Sequence, residues 1–161
     1  MPSHEAGLYA AASILGKAVM YLPTGVAMAL FPMVAENHVR SQSSIHLLMQ
    51  SVGLTIFLSG ACAAFYFMFG EEIIGLLYGE DYRGAGEVLR FYGFAILPMA
   101  LVLVAEHFLI AKERVLFAYL FLLTAPLQLI GVYFFHDSLQ MVVAVMGVCG
   151  LILVLLGYGL L

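Results

Sequence analysis

The chain has 161 residues; 64% are hydrophobic, only 10% are charged, and the formal net charge is −4. An ordinary soluble domain carries roughly 25% charged residues, so these side chains cannot cover a water-facing surface. That excludes a soluble globular domain, a disordered chain and a nucleic-acid binder, which needs a basic excess, and leaves an integral membrane protein.

Taken in chain order, Met1-Pro2-Ser3-His4-Glu5 lacks the basic start of a cleavable signal peptide. Charge spacing then marks five apolar spans, at residues 6–35, 45–69, 88–111, 115–135 and 139–161. Each reaches the roughly 20 residues that a helix needs to cross a bilayer. Helices are required, because hydrocarbon offers no water to an open strand edge and no run alternates as a barrel strand does. Between the second and third spans, Ile73, Ile74, Leu77 and Tyr78 give one apolar face behind Glu71 and Glu72. That pattern predicts a short interfacial helix at about 71–78, with acids at its positive end. The expected fold is therefore all-α: a polytopic transmembrane bundle of about five spans plus one interfacial helix, forming a single domain over 1–161.

The other connections are short: Glu36 to Ser44, Lys112-Glu113-Arg114 and His136-Asp137-Ser138. Arg40, Lys112 and Arg114 fall on one side of the membrane, and Arg83 and Arg90 on the other. The positive-inside rule puts the first set in the cytoplasm. The N-terminus is then outside and the C-terminus inside.

Lys17 is the only charge in the first span. It sits near the middle of that run, where a lysine costs roughly 2.5–3.5 kcal/mol on insertion scales. No acid lies within two turns of it. Such a cation suits a wet cavity that receives an anionic group; the plainer alternative is a lysine snorkelling to the interface. Pro23, Gly25 and Pro32 in the same span, Pro98 in the third and Pro126 in the fourth are expected helix kinks or hinges. Gly7-x-x-x-Ala11, Ala12-x-x-x-Gly16 and Gly60-x-x-x-Ala64 are spacings at which helices approach closely. Arg90 and Glu106 are secondary candidates. Arg90 either meets an anion or anchors a helix end, and Glu106 either couples to protons or answers Lys112 or Arg114. Cys62 and Cys149 lie in apolar runs and read as packing residues. No protease, hydrolase, nucleotide or metal motif is present, so the sequence points away from an enzyme, a cofactor or a metal.

The stretch AGLYAAASILGKAVMYLPTGVAMALFPMVAE, from Ala6 to Glu36, resembles a helix of the polysaccharide and oligosaccharide-lipid flippases, a family of the multidrug/oligosaccharidyl-lipid/polysaccharide exporter superfamily. EEIIGLLYGEDYRGAGEVLRFYG, from Glu71 to Gly93, resembles that family's surface helix and the Gly-x-x-Tyr turn after it. The resemblance implies spans eight to twelve of a twelve-span, two-lobe exporter around a central cavity. It implies a multi-pass protein of the cytoplasmic membrane that translocates a polyprenyl-diphosphate-linked sugar unit for cell-surface polysaccharide. Its partners would be that lipid-linked oligosaccharide, membrane lipids, and the missing N-terminal spans or another membrane subunit. Lys17 matches the cationic position of the family's LGK-like stretch and would contact the diphosphate. Energy would come from an ion gradient or the membrane potential. Two other readings stand beside it: a cation-coupled multidrug exporter, which wants a buried carboxylate, and a non-transporting structural subunit or truncated remnant.

Overall fold

A computed structural model of the protein describes residues 3–40, 43–114 and 116–159. Among them every regular element is helical: α1 (Ser3–Gly16), α2 (Ala18–Tyr21), α3 (Thr24–Val39), α4 (Ile45–Tyr78), a 3-10 turn at Glu80–Tyr82, α5 (Ala85–Ala111), α6 (Leu116–Phe134) and α7 (Leu139–Gly159). Val115, the first residue expected in the fourth span, and Leu160 and Leu161, the last two of the fifth, lie outside the described residues. So do Ser41 and Gln42 of the first connection.

Four helical stretches are long and apolar enough to cross a membrane: Gly7–Val39, Ile45–Tyr78, Ala85–Ala111 and Leu139–Gly159. Within α6 the apolar stretch Leu122–Phe134 is shorter. The all-α bundle expected from the sequence is what forms. α5 stands at its centre and packs against α4, α7 and the broken rod made by α1, α2 and α3, while α6 packs chiefly on α7.

The central place of α5 follows from its small residues, which let neighbouring backbones come close. A side chain on Gly93 would meet Ala63 Cα at 3.1 Å, and one on Gly86 would meet Glu71 Cα at 2.5 Å. On the opposite flank, Gly147 and Gly150 of α7 sit 3.2–3.3 Å, measured from the same ideal Cβ, from Ala95 and Pro98. Fully buried Leu89, Tyr92, Val104 and Phe108 fill the spaces between. These contacts fix the register. α4 runs antiparallel to α5, and α7 and the broken rod run parallel to it.

Ile45–Tyr78 is two helices that meet at a kink at Phe69, whose φ of −122° and ψ of 20° are non-helical, so residues 71–78 form a short helix beyond the break, as the sequence divides them. The Gly70–Gly86 contact holds this short helix against α5. One expectation needs correction. The Gly60-x-x-x-Ala64 spacing makes no close helix contact, since nothing lies within 4 Å of the Cβ position at Gly60. Pro32, Pro98 and Pro126 lie inside α3, α5 and α6, while Pro23 stands at the interruption between α2 and α3.

Candidate functional site

The first rod is interrupted twice, at Lys17 and at Leu22–Pro23. Lys17 has φ −63° and ψ −19°, close to helical values. Its amide still reaches the Ser13 carbonyl at 3.1 Å, but its own carbonyl receives both Met20 N (3.0 Å) and Tyr21 N (3.1 Å). Proline has no N–H, so Pro23 leaves the carbonyl four residues back without its helical donor. That carbonyl belongs to Val19, and the Ser59 hydroxyl of α4 donates to it at 2.8 Å. One turn earlier, the Tyr66 hydroxyl donates to the Leu15 carbonyl at 2.9 Å. Thr24 Oγ1 donates to Met20 O at 3.3 Å. Hydroxyls from α4 thus bracket Lys17 and hold the broken rod in place.

Lys17 itself turns away from these clamps. Its side chain is exposed, and so are Ala10, Ile14, Tyr21, Gly25, Met28 and Pro32, spaced three and four residues apart along the same face. Among the described residues its ammonium forms no ion pair. The expected wet cavity is not enclosed by these residues; Lys17 lies on the outside of the bundle, on an otherwise apolar stripe. The reason is that α1 buries its opposite face, where Ala12 is fully buried and Gly16 lies against the Tyr92 ring.

The depth of Lys17 also differs from expectation. Gly7 lies by Tyr82, Leu8 by Gly84 and Gly16 by Tyr92, so Lys17 stands at the level of Tyr92 and Gly93. That is about 10 Å along α5 from Ala85 and about 30 Å from Lys112, at 1.5 Å per residue. Lys17 is therefore nearer the Ala85 end than the middle, roughly a turn inside the Arg90–Glu71 pair. Its place within the apolar run misled because Gly7–Val39 spans 33 residues, about 50 Å of helix against roughly 30 Å of hydrocarbon. At this depth the insertion cost falls below that of a helix centre, and the long stem can carry the ammonium toward the headgroups.

The secondary candidates sit apart from Lys17. Arg90 is bound to Glu71 at 2.9 Å, with about a third of its side chain exposed (34%). This pair ties α5 to the kinked end of α4, which fits the anchoring reading of Arg90. Its Nε is buried and has no hydrogen-bond partner. Glu106 is half-buried and makes no ion pair among the described residues. The expected bridge to Lys112 is absent, because six residues along a helix leads to the far side. Lys112 instead places its ammonium 4.8 Å from the centre of the Phe108 ring. Cys62 and Cys149 are free thiols, and no group of His, Cys, Asp and Glu among the described residues could hold a metal.

A cleft of about 550 Å³ opens between α6 and α7, lined by Leu127, Ile130, Phe134, Met141, Val145 and Val148 among other apolar side chains. Its lining is apolar apart from the buried thiol of Cys149. The Ser59 and Tyr66 clamps were missed in the sequence, although Pro23 pointed to an orphaned Val19 carbonyl. Comparison with protein-family models, with curated proteins and with solved structures finds no match to this chain.

Proposed function

We infer that this chain is the C-terminal part of a membrane flippase, moving polyprenyl-diphosphate-linked oligosaccharide for cell-surface polysaccharide. One observation carries the reading: an unpaired ammonium, Lys17, presented on an apolar, membrane-length stripe at a clamped helix break. A lone cation whose long stem can reach the headgroups attracts phosphate, and lysine meets it as a point charge. In this reading further spans close over the stripe from Ala10 to Pro32 and turn it into a cavity wall. The sugar passes through that cavity while the lipid tail stays in the bilayer. The protein resides in the cytoplasmic membrane with Gly79 outside and Lys112 inside.

The test is surface polysaccharide in the cell that makes the protein. Lys17→Leu abolishes export while the protein stays inserted and folded, and Lys17→Arg retains part of it. A structural subunit would tolerate Lys17→Leu without loss, and that result refutes transport through this residue.

A further inference from the structure

Two hollows flank the outer ridge of α7, and Ala144 lines both. One is the apolar cleft against α6. The other, of about 280 Å³, lies between α7 and α5 and is lined by Phe91, Ala95, Gln140, Val143 and Ala144. Ala144 is exposed between the two, and its single methyl leaves the ridge low. In a bilayer such hollows face acyl chains rather than water.

The smaller hollow has a polar rim at one end. Gln140 Nε2 donates to Glu87 Oε1 at 3.1 Å. Glu87 is exposed one turn before Phe91, at the Ala85 end of α5. A carboxylate is thus held at the membrane-surface end of a slot that is apolar along the rest of its length. The charge at this end selects the headgroup. Glu71 and Glu80 are taken by Arg90 and Arg83 at 2.9 Å each, whereas Glu72, Asp81, Glu87 and Asp137 form no ion pair among the described residues. An anionic headgroup is repelled here. A primary ammonium brings three N–H donors to a carboxylate that holds only the Gln140 amide. We propose that a phospholipid with a primary-ammonium headgroup sits astride α7, one acyl chain in each hollow and its ammonium on Glu87. Lys17 does not enter this site: its rod packs on buried Tyr92, while Phe91 faces out. The inference therefore holds whatever the cargo is.

The test is native mass spectrometry of the full chain in micelles, titrated with phosphatidylethanolamine or phosphatidylglycerol of the same two chains. The first phosphatidylethanolamine binds about tenfold tighter, the worth of one charge-assisted hydrogen bond. Glu87→Gln, which keeps an acceptor for Gln140, removes that preference and does not weaken phosphatidylglycerol. Glu72→Gln, at an exposed acid on the kinked end of α4, leaves it in place. Ala144→Phe raises the ridge and weakens both lipids alike. Glu87 and Ala144 are exposed, so neither substitution disturbs the packed core. Equal binding of the two lipids, a preference that survives Glu87→Gln or falls as much with Glu72→Gln, or unchanged binding after Ala144→Phe would overturn the site. So would dimers that form as lipid is removed, since a second copy would then be the occupant.

Discussion

Ser59 and Pro23 never touch through a hydrogen bond, yet each accounts for the other. Proline at 23 takes away the amide that would close on Val19, and the Ser59 hydroxyl fills the vacancy at 2.8 Å. Ser59→Ala leaves that buried carbonyl unsatisfied and costs about 1 kcal/mol. Pro23→Ala in the same chain returns an amide donor and recovers much of the loss. Reversible unfolding in mixed micelles, run as a double-mutant cycle, measures both; strictly additive losses would show the two residues to be independent.

Glycine contacts separate positions that a spacing rule treats alike. Gly86→Ala drives a methyl into the Glu71 backbone and destabilises by about 2 kcal/mol or more. Gly60→Ala meets open space and is neutral, or stabilises by up to about 1 kcal/mol through helix propensity. The same unfolding measurement decides, and equal effects at the two sites would contradict the packing described for α4 and α5.

Glu71→Gln removes one half of the pair with Arg90. Both side chains are more than a third exposed or nearly so, 41% and 34%, so solvent screening holds the loss below about 1 kcal/mol. The loss shrinks further as salt rises. A large, salt-independent loss would indicate that the buried Arg90 Nε depends on this contact.

The proposed orientation puts the two ends of α5 on opposite sides of the membrane. A reporter enzyme fused after Gly79 is active outside the cell, and one fused after Lys112 is active inside. The reverse pattern overturns both the orientation and the assignment of these helices to spans eight to twelve.

Composition and charge spacing alone were enough to read an all-α membrane bundle, because apolar runs of that length admit few other structures. Lys17 and Pro23 were visible as exceptions for the same reason: each violates the uniform chemistry around it. Depth was not legible. The first rod is longer than a bilayer's hydrocarbon is thick, and only its contacts with Tyr82, Gly84 and Tyr92 reveal its level against α5. The kink at Phe69 carries no proline, so the sequence treats Ile45 to Tyr78 as two elements for a different reason, the acids at Glu71 and Glu72. Ser59 was hidden because a serine hydroxyl in an apolar helix usually satisfies itself on its own backbone, and Tyr66 because its sequence position does not show which carbonyl its hydroxyl meets.

The most direct measurement is binding of a short polyprenyl diphosphate to the chain in nanodiscs, read by native mass spectrometry beside the monophosphate and the neutral prenol. The expected result is a preference for the diphosphate of about tenfold over the neutral prenol, which Lys17→Gln removes while prenol binding stays unchanged. Equal binding of all three lipids, or a diphosphate preference that survives Lys17→Gln, would contradict the role given to Lys17.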